Sequence, residues 1–274
     1  MASLDIERRK SAVVVDGSTM ITGGRILVGI VLLLLWQFYP ELFGTNPFWL
    51  SRPTLILGKA IELYQEGSLL ANIGATVFET LLGLGLGCVL GVAIGLAVGA
   101  TRTMREIFEP FLLIANAFPK IAMAPLFMIW FGIGLWMKVA IAFSLVVVVM
   151  ALSTYSGMRT IRRELVNITR TMGASEGQIF RKIVLPSITP WLFVGFRVSL
   201  TFALIGAVLG EFIAAQRGLG FMIDDGMATF DAELVYLALL ILFILVWCAN
   251  SVMEWIGHHF GIGEDSPTMA YTTE

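Results

Sequence analysis

The chain has 274 residues, of which 57% are hydrophobic and only 14% are charged, and its formal net charge at pH 7 is −2. Soluble domains carry about a quarter of charged residues. This composition therefore excludes an ordinary soluble domain and indicates an integral membrane protein. A net charge so close to zero says little about partners, and no nucleic-acid partner is expected.

Six apolar segments predict six transmembrane helices, because a spanning helix needs about 20 mostly apolar residues. They cover residues 26–39, 71–100, 107–132, 137–155, 188–214 and 234–257. The predicted fold is an all-α integral membrane protein. One six-helix domain at residues 25–257 lies between polar tails at residues 1–24 and 258–274. Helical spacing of the apolar residues over 55–66 predicts a further amphipathic helix on the outer surface.

The orientation follows from the basic residues that flank the spans, since Lys and Arg concentrate on the cytoplasmic side. One side of the predicted membrane domain carries Arg8, Arg9, Lys10, Arg25, Arg102, Arg105, Arg159, Arg162, Arg163, Arg170, Arg181 and Lys182. The other side carries Arg52, Lys59, Lys138 and Arg217. The first set predicts the cytoplasmic side, and both termini are expected there.

The second predicted span carries glycines at every fourth position, among them Gly87, Gly91 and Gly95. Such spacing places small residues on one helix face, where they let two membrane helices approach closely. A ligand site is the alternative, but this glycine-rich segment does not match a phosphate-binding loop and no Gly-Lys-Ser/Thr ending occurs. No cofactor is therefore expected on this chain, and any nucleotide hydrolysis must occur in another chain.

Several charged residues lie inside the predicted spans, and four of them are singled out as candidates. Lys120 follows Pro119 in the third span, which Pro110 and Pro125 also interrupt, and Arg197 lies in the fifth. An intramembrane charge is a functional hypothesis, so Arg197, Lys120 and Glu79 are candidate residues of a translocation pathway. For both cations the alternatives are pairing with a carbonyl or carboxylate within the bundle and snorkelling to the cytoplasmic interface. For Glu79 they are pairing with a basic group and facing an outer cavity. Glu211 is expected to fix the loop that contains Gly218 and Gly220.

The cysteines and histidines do not indicate a catalytic or metal site. Cys88 and Cys248 lie inside predicted spans and read as small apolar side chains. His258 and His259 are adjacent, which gives poor geometry for one metal ion, so no metal site is expected.

The segment between the fourth and fifth spans, residues 158–186, is too polar for a bilayer. It contains Arg170-Thr171-Met172-Gly173-Ala174-Ser175, and nine residues separate Gly173 from Ile183-Val184-Leu185-Pro186. This pattern resembles the loop of permease subunits of bacterial ABC importers. The family pattern begins with Glu-Ala-Ala, where this chain has Asn167-Ile168-Thr169.

The resemblance extends over residues 50–257 and is to the nitrate, sulfonate and taurine branch of these importers. It is carried by Phe118 to Leu126, Trp130 to Gly134, Gly210-Glu211-Phe212 and Gly218-Leu219-Gly220. It implies a permease in the bacterial cytoplasmic (inner) membrane that forms a homodimer with a second copy or a pseudo-dimer with a related permease. It also implies two cytoplasmic ATPase subunits that bind ATP and Mg, and an extracytoplasmic solute-binding protein. We expect a small anionic organic solute, with Arg197 beside its pathway.

In this interpretation a short helix at residues 164–172 turns at Gly173 into a second helix that ends at Leu185, and Pro186 marks re-entry into the membrane. The residues expected to couple to the ATPase are Glu164, Asn167, Arg170, Thr171, Gly173, Ala174, Ser175, Ile183, Leu185 and Pro186. A basic loop held to lipid headgroups is the alternative, but it explains the arginines and not the Gly and Leu-Pro spacing. Two alternatives remain for the whole chain, which are an ATP-independent secondary transporter or channel and a membrane enzyme.

Overall fold

The computed structural model describes residues 24–25, 27–39, 51–214, 216–259 and 261, and leaves the side chain of Arg163 undescribed. Within these residues the chain is helical and contains no strand, so the all-α class is confirmed. The helices are α1 (Leu27–Tyr39), α2 (Pro53–Gln65), α3 (Ser68–Ala100), α4 (Arg102–Ala117), α5 (Ala124–Phe131), α6 (Leu135–Thr160), α7 (Arg163–Thr171), α8 (Glu176–Ile179), α9 (Leu185–Ala214), α10 (Leu219–Ala228) and α11 (Ala232–His259). Most of the two predicted tails, with Arg8, Arg9 and Lys10, lies outside the described residues.

The described residues contain four helices that are long and apolar enough to cross a membrane. They are α3, α6, α11 and the continuous helix Glu176–Ala214, which contains α8 and α9. The bent pair α4–α5 makes a fifth if it counts as one span, and α1 is a shorter apolar helix. The predicted count of six requires both of these and stays a prediction.

Helices α3 and α6 pack side by side at very short distance along a row of glycines. A methyl group at Gly87 would lie 2.6 Å from Val146 Cγ1, and one at Gly95 would lie 2.5 Å from Thr154 Cβ. Gly83, Gly91 and Gly99 make the equivalent approach to Ala142, Met150 and Met158. Since both residue numbers rise together, the two helices run parallel and in register.

The segment between two parallel helices must return from the end of the first to the start of the second. Helices α4 and α5 make this return, with a bend of 79° between them. The break falls at Pro119, which cannot donate a backbone hydrogen bond, and Phe118 before it is extended (φ −66°, ψ 132°), as residues before proline prefer. Pro110 stays inside α4, and Pro125 lies in the first turn of α5, where proline is tolerated.

Helix α9 runs antiparallel to α6, because its glycines meet α6 in reverse order. Gly195 contacts Ser153, and Gly210 contacts Lys138. Helix α11 is in turn antiparallel to α9, since Gly257 lies against Phe193 whereas the later Arg197 contacts the earlier Asn250 and Glu254. One end of the bundle therefore carries the α3–α4 turn, α7 and α8, and is called the loop end. The other carries α2 and α10 and is called the opposite end.

An apolar cluster closes the opposite end. Its buried members come from α2, α3, α10 and α11 and include Ile56, Leu69, Leu219, Met222 and Leu237. Helix α2 is the amphipathic helix expected from residues 55–66. Lys59 on its polar side pairs with Asp231 at 3.2 Å, which ties α2 to the start of α11.

Candidate functional site

The α7–α8 unit at the loop end is a compact helix–turn–helix of residues 163–179. Helix α7 ends in a Schellman motif, in which Ala174 N donates to Thr169 O at 3.2 Å and Gly173 N donates to Arg170 O at 3.0 Å. This motif needs a left-handed residue, and Gly173 has φ 87°. A glycine suits that position because it has no Cβ to clash.

The second half of the α7–α8 unit is fixed by side chains. Ser175 and Gln178 form a capping box, in which Ser175 N donates to Gln178 Oε1 at 2.8 Å. Across the turn, Arg170 donates to both carboxylate oxygens of Glu176, from Nε at 2.7 Å and from Nη2 at 3.1 Å. A bidentate contact of this kind holds the two short helices at one angle.

Helix α7 has two different faces. Leu165, Ile168 and Met172 are exposed, and Met172 reaches 82% exposure. Their spacing of three and four residues places them on one side, which we call the apolar face of α7. Glu164, Asn167 and Arg170 instead line a cleft beneath the α7–α8 unit. An exposed apolar face on a polar segment is typical of a protein interaction surface.

The chain passes from α8 into α9 without interruption. The sequence had predicted that the second short helix ends at Leu185. A π-helical turn at Phe180–Val184, which includes Ile183, joins the two helices. Its wider turn precedes Pro186, whose ring would otherwise clash with the carbonyl four residues earlier. Pro186 therefore does not break the helix, and Glu176–Ala214 forms one rod.

Buried charges form a cluster near the opposite end. Lys138 of α6 donates to Glu79 of α3, and both side chains are almost fully buried. The structure therefore gives Glu79 the basic partner that was its alternative role. Lys138 was counted among the basic residues near the span ends of that side; it lies in the first turn of α6, where its ammonium balances the Glu79 carboxylate inside the bundle.

Glu211 of α9 clamps the loop before α10. Its Oε1 accepts a hydrogen bond from Thr76 Oγ1 at 2.7 Å, and its Oε2 accepts one from Gly220 N at 2.7 Å. Leu219 N completes the network by donating to Thr76 Oγ1 at 2.8 Å. A methyl group at Gly218 would overlap the Glu211 carboxylate. The glycine is required there, and the loop is fixed by Glu211 in the way expected from the sequence.

The other two pathway candidates have partners within the chain. Arg197 Nη2 donates to Glu254 Oε1 at 2.7 Å, and Lys120 Nζ donates to Asn116 O at 3.2 Å. Both residues therefore pair within the bundle, Arg197 with a carboxylate and Lys120 with a carbonyl, which was the alternative to lining a pathway. A guanidinium paired with a carboxylate has little net charge left for a passing anion.

The sequence alone did not identify Lys138 as the partner of Glu79. The signal that could have found this pair was the presence of two opposite charges in apolar segments. The sequence also did not indicate that Thr76 and Asn72 hold the loop before α10, where Asn72 Oδ1 accepts a hydrogen bond from Gly218 N at 2.9 Å. In the described part of the chain, no group of three or more His, Cys, Asp or Glu side chains could hold a metal ion.

The family follows from a sequence profile. The profile described as "Binding-protein-dependent transport system inner membrane component" matches residues 83–261 of this chain. The chain belongs to this family. The permease is therefore a non-catalytic, multi-pass membrane subunit of an ABC importer, and permeases of this kind work with an ATPase and a solute-binding protein.

Named relatives agree with this assignment. The permease is 38% identical to the riboflavin transport system permease protein RibX of Chloroflexus aurantiacus, over 77% of this chain and 78% of the relative. It is 31% identical to the formylaminopyrimidine transport permease protein ThiX of Halalkalibacterium halodurans, over 79% of this chain and 86% of the relative. Its fold is similar to a chain of the inward-facing MetNI methionine ABC transporter, with a TM-score of 0.63, 22% identity, and coverage of 71% of this chain and 97% of that one.

Proposed function

We propose that the α7–α8 unit is the surface through which a cytoplasmic ATPase moves this permease. The proposal rests on one observation, which is that the exposed apolar face of α7 is rigidly connected to the membrane helices α6 and α9. The apolar face of α7 lies on a unit that is held by the Schellman motif, the capping box and the Arg170–Glu176 contact. That unit continues directly into α9 and follows α6 across a two-residue link, Ile161 and Arg162.

A rigid connection can transmit motion without deforming. If a groove of the ATPase holds the apolar face, closure of the ATPase on nucleotide displaces α6 and α9 as bodies and changes the access of the pathway. Glu164, Asn167 and Thr171 belong to α7, Ala174 and Ser175 to the turn, and Ile183, Leu185 and Pro186 to the π-helical turn and the start of α9. All ten coupling candidates lie on this continuous piece. ATP and Mg bind in the ATPase, and this chain supplies no residue to them.

The proposed assembly contains two copies of this permease, two ATPase subunits and one extracytoplasmic solute-binding protein. The loop end is the cytoplasmic end, because Arg102, Arg105, Arg159, Arg162 and Arg170 lie there and basic residues favour the cytoplasmic side. The C-terminal end of α11 lies at the same end. With α1 as the first span, the N-terminus is cytoplasmic as well, in the inner membrane of a bacterium.

The proposed solute is a small organic molecule delivered by the binding protein, in line with the riboflavin and formylaminopyrimidine for which RibX and ThiX are named. Arg197 is paired with Glu254, which weakens its support for the anionic solute expected from the sequence, whereas Lys120 donates to a backbone carbonyl and keeps its positive charge. The ligand that the purified binding protein retains tests this part of the proposal. A retained cation would reject an anionic solute and leave the coupling proposal unaffected.

Replacing Gly173 with valine tests the coupling role. A β-branched residue at φ 87° strains the turn, so we expect uptake by the assembled transporter to fall at least tenfold while ATP hydrolysis continues. Gly177→Val is the matched control, since Gly177 lies in α8 without a positive φ and has no atom within 4 Å of an added Cβ. Normal uptake by the Gly173→Val transporter, or an equal loss in the control, would contradict the proposal.

A further inference from the structure

A large cleft lies beneath the α7–α8 unit, and we call it the arginine cleft. It has a volume of about 1190 Å³ and is bounded by the end of α3, the start of α4, the end of α6, and the α7–α8 unit. Five arginines line it, which are Arg102, Arg105, Arg159, Arg162 and Arg170. They come from α4, the end of α6, the α6–α7 link and α7, and they meet at the loop end.

Three of these arginines are already neutralised. Arg102 pairs with Glu106 at 2.6 Å, Arg159 with Glu109 at 2.9 Å, and Arg170 with Glu176 at 2.7 Å. Among the described residues, no carboxylate lies within salt-bridge distance of the remaining two, Arg105 and Arg162. Glu164, which also lines the cleft, supplies a single negative charge against these two guanidinium groups.

Arg105 also carries a donor atom that no described residue satisfies. Its Nε is buried and has no hydrogen-bond partner among the described residues. A buried donor without a partner is destabilising, so an acceptor in the cleft would stabilise it. The guanidinium is also held in place, because it lies 6.0 Å from the centre of the buried Tyr155 ring, which Arg159 approaches at 5.9 Å. Such stacking limits the side-chain entropy that binding would cost.

The lining of the cleft contains apolar as well as basic residues. The apolar ones include Leu96, Ala97, Val166 and Phe180. The cleft lies at the last turns of α3 and α6, at the loop end of two spanning helices. Basic groups beside apolar surface at the end of spanning helices suit an anionic lipid, in which a phosphate headgroup is joined to acyl chains.

We propose that the arginine cleft binds a phosphate-bearing anion between Arg105 and Arg162. The planar guanidinium matches phosphate oxygens in a two-bond contact. The phosphate belongs to an anionic lipid or to a free anion of the cytoplasm. Because Arg105 lies in α4 and Arg162 directly precedes α7, the anion would join the coupling unit to the spans. That effect on transport rests on the proposed coupling function, whereas the binding itself does not.

Native mass spectrometry of the full chain from bilayers of phosphatidylcholine with a minor fraction of phosphatidylglycerol tests the binding. We expect selective retention of phosphatidylglycerol, reduced about fivefold by Arg105→Gln and about fivefold by Arg162→Gln. Arg162 is exposed, so its replacement leaves the fold intact even if Arg105→Gln does not. Arg217→Gln, which removes an exposed arginine from the opposite end, should leave retention unchanged.

Inorganic phosphate distinguishes the two sources. If it protects Arg162 from guanidine-directed labelling in lipid that lacks phosphatidylglycerol, the anion is free phosphate. If only phosphatidylglycerol protects, the anion is a lipid headgroup. Protection by neither, equal retention in the Arg162→Gln chain, or loss of retention when the ATPase is bound would overturn the proposal, the last by making the cleft a protein-docking surface.

Discussion

Adding one methyl group at Gly91 is expected to separate α3 from α6. In Gly91→Ala the new Cβ would lie 2.6 Å from Met150 Cβ and 2.6 Å from Val147 O, where ordinary contacts are 3.4–4 Å. Val147 O belongs to the backbone, so a side-chain rotation cannot relieve the clash. The two helices must therefore move apart by about 1 Å or bend locally.

The cost follows from the geometry of the glycine row. Overpacking by one methylene costs about 1–3 kcal/mol. A parting of about 1 Å would also remove a quarter to a half of the dispersion energy of neighbouring contacts, such as those at Gly87 and Gly95. For a chain of this size, 1 kcal/mol corresponds to about 2–4 °C in Tm. Gly91→Ala is therefore expected to lower Tm by about 2–12 °C, and Gly91→Leu by more, with a reduced folding yield.

Thermal unfolding of the purified chain in detergent measures this effect. Gly85→Ala is the matched control, because Gly85 belongs to the same helix and an added Cβ there meets no atom within 4 Å. Its Tm should stay the same or rise slightly, since alanine favours the helix more than glycine. Equal Tm values for Gly91→Ala and Gly85→Ala would refute the close-packing argument.

Two further predictions concern the opposite end. Lys138→Met leaves Glu79 buried and unpaired and should destabilise the chain by about 3–5 kcal/mol. The Lys138→Met/Glu79→Leu double variant should recover most of that loss in thermal unfolding. A double variant that is no more stable than Lys138→Met would contradict the prediction. Gly218→Ala should lower stability by about 1–3 kcal/mol, because the methyl group meets the Glu211 carboxylate. Gly67→Ala controls for backbone strain, since Gly67 has φ 76° and nothing within 4 Å, and an equal loss there would show that the contact is unimportant.

The sequence predicted correctly those structural features that depend on a single segment of the chain. Run length and hydropathy were sufficient for the long helices, because each satisfies its own backbone hydrogen bonds within the segment. The four-residue spacing of Gly87, Gly91 and Gly95 placed them on one face without any knowledge of α6. The turn at Gly173 was likewise readable, since it depends on one residue and its neighbours.

The sequence was weaker wherever two distant segments meet. Glu79 and Lys138 are 59 residues apart, and only the register of α3 on α6 brings them together. The partner of Arg197 comes from α11 in the same way. Among three prolines in the third predicted span, only Pro119 breaks the helix, because Pro110 is accommodated inside α4 and Pro125 starts α5. These outcomes depend on packing and on helix position, which the local pattern does not contain.

Helices α3, α6 and α9 are expected to move as one body during transport. Glycines of α3 lie on α6 along one side, and glycines of α9 lie on it along another, so close approaches of the helix backbones join all three. Packed interfaces of this kind shift as units.

Spin labels at Val89→Cys in α3 and Val198→Cys in α9, at exposed positions, measure this in the assembled transporter after Cys88 and Cys248 are replaced by alanine. Dilution with unlabelled chain restricts the signal to one copy. Their separation should stay constant when ATP is added, because the glycine contacts leave no space for sliding. The distance between the Val89→Cys label and a label on the ATPase serves as the reference for the motion. If ATP changes the separation of the two permease labels by as much as it changes this reference distance, α9 slides past α6. The α7–α8 unit would then move α9 alone, and the Glu211 clamp at the opposite end would have to open with it.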